Sequence, residues 1–394
     1  MLLSSSKGLL PRSLRAITPA VKGSRTLASL NAGNISIQKT DSPKTKSDKT
    51  TLKFGHEFSD HMLACEWDST SGWAKPKITP YQPLALDPAT CVFHYGFSCF
   101  EGMKAYKDKA GRVRLFRPDM NMARLHRSGL RIALPAFDQA ELVKAIAEFV
   151  KVDRDWIPEG KGYSLYLRPT FIGTQKTLGI GPTGSALIYV IASPVGPYYP
   201  SGFKAVSLWA TTEQVRAWPG GFGDAKLGGN YAPCVTAQTM AAAKGYEQNL
   251  WLHGKEHNVG EVGTSNLFVV WVNEEGEREI ITAPLDGTIL PGVTRDSILA
   301  LARERLPEYR VTESLFTMSR VARAAEEGRL LEVFGAGTAV VTSPVKRIHY
   351  DGVDITVPLQ EGKEAGPIAE KMVDWITAIQ YGEEPSHPWT VVVE

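Results

Sequence analysis

Near the middle of the chain, Ser193 to Gly202 (SPVGPYYPSG) holds three prolines and two glycines. Proline locks φ and removes an amide donor, so a segment this rich in proline and glycine reads as a connection. It follows ALIYVIAS, an apolar run that reads as a strand buried on both faces, and precedes the strand pattern KAVSLWA. The break therefore divides the 394 residues into two folding units, as expected of a chain too long for one core. The predicted layout is a two-domain α/β (α+β) protein: a small α/β domain at 51–195, a connection at 196–203 and a larger domain at 204–394.

The first fifty residues are expected to stand apart from both units. Lys7, Arg12, Arg15, Lys22, Arg25 and Lys39 all precede the first acidic residue, Asp41. With Leu9, Leu10, Leu14 and Ile17 offering one apolar helical face, this stretch reads as a mitochondrial transit peptide bound for the matrix. A polar linker, QKTDSPKTKSDKTT, follows and is too poor in apolar residues to be expected to pack. Removing those six bases takes the basic total from 44 to 38 against 42 acidic residues, a net of −4, which argues against nucleic acid as a partner. No run is apolar for long enough to cross a bilayer as a helix. Cys65, Cys91, Cys99 and Cys234 show no CxxC spacing, which fits a reducing compartment and no zinc site. His56 and His61 beside Asp60 lack the partners of a metal site and are read as structural.

Within the first unit, Thr90 to Gly102 reads as a buried strand with VRLFRP as its hairpin partner. Pro118 to Arg131 turns helical and brings Arg124, Arg127 and Arg131 near one face, a geometry suited to clamping an anion. Asp138 and Glu141 form a capping box ahead of the stripe Leu142, Ala145, Ile146, Phe149 and Val150. SLYLRPTFIG, carrying Arg168, reads as a strand. In the second unit, NLWLH, NLFVVWV and EREIITA are predicted strands, and LPGVTRDSILALARERL is a helix capped by Thr294. EVFGAGTAVVTSP is a strand broken by a small-residue turn, and Pro367 opens a final helix on Ile368, Met372, Trp375, Ile376 and Ile379.

The chemistry centres on WPGGFGDAKLGGNYAP, where Lys226 sits among glycines with Tyr231 five residues on. Alone, such a lysine is most often a surface feature, and Glu261 in EVGTSNLFVV is most often solvated. Three anion sites accompany them: Arg124, the helix start at Val293 and Thr294, and the GAGTA turn. None fits a nucleotide-binding glycine motif. A phosphate site, a lysine able to form a Schiff base and an acid for a ring nitrogen together specify pyridoxal 5′-phosphate.

EVGTSNLF is similar to the signature of class IV pyridoxal-phosphate aminotransferases. KLGGNYAP, LDGTILPGVTR, HYGFSCFEGMKAY and SLYLRPTFIGT resemble blocks of the branched-chain amino acid aminotransferases, mitochondrial type, in the family's order from about Phe54 to the C-terminus. The resemblance implies fold-type IV, with a small α/β domain and a larger domain holding a pseudo-barrel of strands. It implies transamination of leucine, isoleucine and valine with 2-oxoglutarate in a ping-pong cycle, Lys226 forming the Schiff base and carrying the proton. By the same likeness Tyr231 bonds the cofactor's phenolic oxygen and Glu261 its ring nitrogen. Arg124, Val293, Thr294 and Thr338 hold the phosphate, and Thr264 and Leu290 flank the ring. The substrate carboxylate meets Tyr95, Thr338 and Ala339. Phe100, Tyr166 and Tyr198 wall the side-chain pocket, and Arg168 takes the distal carboxylate of glutamate. The family also implies a homodimer. Where animal mitochondrial relatives carry a redox CxxC, this chain has Val340 and Ser343. A D-amino acid aminotransferase or an aminodeoxychorismate lyase shares the lysine and the glutamate, and a non-catalytic phosphate- or nucleotide-binding protein is the alternative of another class. The HYGFSCFEGMKAY block and Arg168 favour the branched-chain enzyme.

Overall fold

The computed structural model describes residues 27–197 and 203–393. The transit-peptide stretch up to residue 26 and Tyr198 lie outside the described residues.

Two sheets organise the chain. The first, ten-stranded, contains β1 (Ser36–Ile37), β2 (His61–Asp68), β3 (Gly72–Trp73), β4 (Lys77–Pro80), β5 (Ser98–Phe100), β6 (Met103–Lys107), β7 (Val113–Phe116), β8 (Ser164–Gly173) and β9 (Ser185–Val195), with a last strand from the C-terminus. Its spine, β4-β2-β9-β8-β6-β7, is antiparallel at every step. Helices α1 (Cys91–Tyr95), α2 (Pro118–Arg131) and α3 (Gln139–Val152) accompany it. The predicted stripe of α3 is buried in one core with Leu165, Leu167, Phe171 and Ile188. Each such aliphatic or aromatic side chain contributes about 1.5–3 kcal/mol on burial, which is why the 3.6-residue pattern decides the helix.

Half of the predicted capping box forms. Asp138 accepts the Glu141 amide at 3.0 Å, but the Glu141 carboxylate takes the Ala32 amide at 2.8 Å instead of reaching back. That bond belongs to a wider correction, because the described part of the first fifty residues, expected to stand apart from both units, lies against the first sheet, from Leu30 of the stretch read as a transit peptide through the polar linker. Leu30 is buried in the core, Thr40 N–H donates to His61 Nε2 at 2.9 Å, and His61 Nδ1 meets Asp153 at 2.6 Å. Lys44 and Lys46 donate to the Ser59 and Asp155 carbonyls at 2.8 Å each. Polar side chains and backbone amides dock this segment, so its low apolar content was a poor guide. A second correction concerns 90–102: Cys91–Tyr95 is a short helix ending at Gly96, and the strand character is split between β5 and β6. The hairpin partner of VRLFRP is therefore β6, beyond Gly102, in the register Ala105↔Leu115, while β5 pairs with β8.

The second sheet contains β10 (Val206–Thr211), β11 (Gln248–His253), β12 (Asn258–Val262), β13 (Ser265–Val272), β14 (Arg278–Thr282), β15 (Arg310–Glu313), β16 (Leu330–Ala336), β17 (Thr342–Tyr350) and β18 (Val353–Thr356). The path β12-β11-β10-β17-β16-β13 closes on itself, because β13 also pairs with β12. Closure into a barrel removes the exposed edges of these strands. Helices α4 (Cys234–Ala243), α5 (Val293–Arg305), α6 (Met318–Glu326) and α7 (Pro367–Gln380) surround it. Val293, Ile298, Leu301, Ile368, Met372, Ile376 and Ile379 join Tyr106 and Phe116 of the first sheet in a shared core between the two. Finally β19 (Thr390–Val393) returns to pair with β7.

Two expectations change in this half. Glu261, expected to be solvated, is buried inside β12, directly opposite Asn266 of β13. A five-residue strand offers too short a window for its period to show. The N-cap of α5 is Gly292 in extended conformation, one residue before the helix starts at Val293, so Thr294 lies inside the first turn.

Candidate active site

Lys226 is held by its backbone before its side chain does anything. Its amide donates to Ser128 Oγ of α2 at 2.9 Å, and its carbonyl accepts the Phe100 amide of β5 at 3.1 Å. Upstream, a Cβ on Gly223 would fall 2.6 Å from the Thr288 carbonyl oxygen, so one glycine of the loop is required for close approach. The ammonium donates to Tyr231 Oη at 2.7 Å and lies 4.8 Å from the centre of the Phe100 ring. Burial, then the positive charges of Arg124 and Arg168, pull Lys226 down to about 7, against the opposing pull of Glu101 and Glu261. Burial, helped by Glu261, pushes the Tyr231 phenol up to about 12.

One side of this lysine is an anion cradle. Arg124 forks onto Glu101, Nε to Oε1 at 2.7 Å and Nη2 to Oε2 at 2.8 Å, while Asn121 Nδ2 donates to the same Oε2 at 2.8 Å. Its Nη1 donates to the Pro291 carbonyl at 3.0 Å, just ahead of α5. The arginine is thus aimed at a helix start whose first amides, Val293 and Thr294 included, have no intrahelical acceptor. Arg124 is the member of the expected trio that turns inward, for Arg127 and Arg131 lie nearer the solvent. Thr338 lies in the half-buried turn between β16 and β17, closed by Gly337 N–H donating to Val340 O at 3.3 Å.

Another side carries an acid with spare capacity. Glu261 Oε1 accepts Asn266 Nδ2 at 3.1 Å and the Leu290 amide at 3.3 Å. Arg216 Nη1 stands 2.6 Å from Oε2 as an ion pair, yet Oε2 has no aligned hydrogen bond among the described residues. Burial raises the Glu261 carboxyl, and Arg216 opposes that shift. Asn266 also donates to Leu290 O at 2.8 Å and so holds Leu290 beside the acid. Thr264 is exposed in the tight turn between β12 and β13.

The third side is aromatic. In β8, Leu165 and Leu167 enter the core while Tyr166 and Arg168, offset by one, share the other face. Arg168 Nη2 donates to Tyr166 Oη at 3.1 Å, its guanidinium lies 4.8 Å from the Phe100 ring centre, and its Nε is buried without a hydrogen-bond partner among the described residues. Phe100 in turn sits 4.9 Å from the Tyr231 ring, which ties this box to Lys226. Tyr95 is not part of the cluster in its own chain: it is 42% exposed, and its hydroxyl donates to the Leu178 carbonyl. Ala339 accepts a hydrogen bond from Lys104 Nζ at 3.0 Å.

Four residues of this site went unseen in the sequence: Glu101, Asn121, Ser128 and Arg216. Glu101 stood in a block already singled out. The other three carry no local signal, since each acquires its role by meeting a residue distant in the chain.

A family model described as Amino-transferase class IV matches residues 98–348, a span that includes Phe100, Lys226, Glu261 and all of α5. The chain is 55% identical over 364 residues to the branched-chain-amino-acid aminotransferase, mitochondrial, of Schizosaccharomyces pombe, covering 92% of this chain and 85% of that one. It is 52% identical over 371 residues to the branched-chain-amino-acid aminotransferase, cytosolic, of Saccharomyces cerevisiae, covering 93% and 99%. The solved branched-chain aminotransferase of the thermophilic archaeon Thermoproteus uzoniensis with norvaline superposes with a TM-score of 0.66 at 26% identity, covering 84% of this chain and 99% of that one. A buried amine between an anion cradle and an acid fits what these likenesses have in common, and the chain belongs to the class IV aminotransferases and, within them, to the branched-chain-amino-acid aminotransferases.

Proposed function

We propose that Lys226 works with pyridoxal 5′-phosphate to move the amino group of leucine, isoleucine or valine to 2-oxoglutarate and back, in two alternating half-reactions. The residues present fit the cofactor on three counts: the inward Arg124 with the open first turn of α5, the buried Glu261 carboxylate whose Oε2, though paired with Arg216, has no aligned hydrogen bond among the described residues, and an amine already near neutrality at pH 7. When bound, the cofactor supplies an aldehyde to carry the amino group and a ring that withdraws electrons.

Lys226, whose loop backbone is held by α2 and β5, passes the proton to and from the α carbon of the amino acid. Tyr231, kept protonated by burial, would hydrogen-bond the ring oxygen, and the Glu261 carboxylate, held by Arg216, would keep a positive charge on the ring nitrogen. Arg124, the Val293 and Thr294 amides and Thr338 bind the phosphate. Thr264 and Leu290 border the ring. Phe100, Tyr166 and Tyr198 exclude water around an aliphatic side chain, and Arg168, with its unpaired Nε, receives the distal carboxylate of the longer substrate. Thr338 and Ala339 receive the α-carboxylate.

We also read the chain as a homodimer of two-domain subunits joined at 196–203. Phe93, Tyr95, Leu178 and Ile180 are exposed, and the segments bearing them touch through Tyr95–Leu178 and the bridge Thr90↔Lys176. An apolar patch of this kind suits a second copy, and Tyr95 would serve that copy's carboxylate site. The acid-free N-terminus supports import into the mitochondrial matrix. The relatives above are named for both mitochondria and cytosol, so fractionation of cells with N-terminal sequencing decides that point.

The observation that carries the proposal is Lys226 Nζ buried within reach of Tyr231, with Glu261 and Arg124 acting on its charge. Its test is the visible spectrum of the purified protein before and after L-leucine. A band that borohydride quenches, and that leucine shifts while D-alanine does not, is expected; a colourless protein ends the reading.

A further inference from the structure

Lys104 takes no part in the cluster around Lys226, yet it touches one of its walls. On β6 it pairs directly with Tyr166 of β8, so it shares the sheet face of Tyr166 and Arg168. Its ammonium crosses to the second sheet and donates to the Ala339 carbonyl at 3.0 Å. Among the described residues it makes no ion pair, and beside it opens a cavity of about 250 Å³ walled by Tyr106, Pro197, Phe203, Val340, Val373 and Tyr381. A half-buried ammonium spent on one backbone carbonyl is costly unless that carbonyl's orientation matters. A peptide unit is planar, so fixing the Ala339 carbonyl toward Lys104 turns the Val340 amide the opposite way and restricts rotation about the Ala339 backbone, inside the turn that Gly337 N–H closes onto the Val340 carbonyl.

We propose that Lys104 is a positioning residue for the carboxylate turn: bound to the Ala339 carbonyl, its ammonium holds Thr338 and Ala339 in the orientation that receives the substrate carboxylate and places a positive charge behind them. The inference rests on the reading of that turn given above. It reaches further in assigning the geometry and charge of the turn to a residue of the other sheet.

The proposal carries a pH signature. Burial lowers Lys104 to about 8. The other titratable groups facing it are Tyr106 on its own strand, Tyr381 beside α7, and Tyr166 and Arg168 on β8. Burial pushes the Tyr381 phenol up to about 12 and the Tyr106 phenol well above its usual value. A guanidinium keeps its charge throughout this range. The turn itself, Ala339 to Thr342, holds no ionisable side chain. As pH rises through about 8 the ammonium becomes a neutral amine, and carboxylate affinity is expected to fall.

The test measures, on holoenzyme across that pH range, the dissociation constant of isocaproate, which is leucine without its amino group, together with kcat and KM for L-leucine. Lys104→Met is expected to weaken isocaproate and raise KM by about tenfold, the loss of one charge-assisted hydrogen bond, with kcat changed by less than about threefold. It should also abolish the fall in affinity near pH 8, while Lys104→Arg restores affinity without that fall. Unchanged affinity in Lys104→Met, or persistence of the fall, overturns the inference. So does a loss of kcat and thermal stability that Lys104→Arg does not rescue, which would make Lys104 merely structural. Thr338→Ala separates the two readings. If it weakens isocaproate and Lys104→Met does not, the turn keeps its role and Lys104 loses its own; if neither does, the reading of the turn falls as well.

Discussion

At the scale of single residues, charge and close contact decide what Lys226 can do. Its pKa of about 7 means that the free amine prevails above neutrality, whereas an ordinary lysine would need pH 10.5. The rate at which apoprotein takes up pyridoxal phosphate should therefore rise with pH through about 7 and then level off, as followed by stopped-flow absorbance; a rise continuing to about pH 10, where an ordinary lysine titrates, would contradict the burial argument. Lys226→Ala should lose the borohydride-sensitive band and at least about a thousandfold in transamination, the scale of a lost general base with its covalent role. Arg216 makes a different prediction. Both members of the Arg216–Glu261 pair are buried, so Arg216→Met strands a carboxylate at a cost of about 3–5 kcal/mol and drives it toward protonation. The measurable result is faster loss of cofactor on dialysis. Gly102 is the spatial counterpart: a Cβ there would lie 2.1 Å from Tyr166 Oη, so Gly102→Ala must displace that ring. Because the clash meets the end of a movable side chain, the KM for leucine should rise about tenfold while far-ultraviolet circular dichroism stays unchanged.

At the scale of elements, α2 links two chemistries that are far apart in sequence. Asn121, Arg124 and Ser128 recur at helical spacing on its buried side, and they hold, in turn, Glu101, the cradle at Pro291 and the Lys226 amide. Ser128→Ala leaves that amide without its acceptor in a buried place, at about 1–3 kcal/mol. Urea unfolding should show the loss, and kcat should fall with it because the lysine loop is no longer fixed. Long periodic helices such as α3 and α7 were legible because repeated burial of one face outweighs local preference. Cys91–Tyr95 and β12 were not, since one turn of helix or five residues of strand show too little period to separate the two. Short elements owe their conformation to neighbours: α1 touches β8, and β12 closes the barrel against β11 and β13.

For the whole molecule, the prediction concerns assembly. Leu178 is 68% and Ile180 79% exposed, beside Tyr95. Replacing both with aspartate should give a monomer by sedimentation velocity, with activity lost although Lys226 is untouched; a fully active monomer would refute shared sites. The sequence by itself singled out the lysine, the tyrosine, the acid and the arginine that the fold brings together, and a helix beginning near Thr294. Those rest on local pattern: residue type, helical spacing, and proline and glycine breaks. Only the tertiary structure decided that Glu101 would fork onto Arg124, that Arg216 would face Glu261, that Lys104 would reach Ala339, and that a polar leader would dock through His61 and Asp153. Each of these is a contact between residues far apart in the chain. Its energy comes from desolvation and charge at a place that exists once the two sheets have met, and composition and periodicity hold no record of that place.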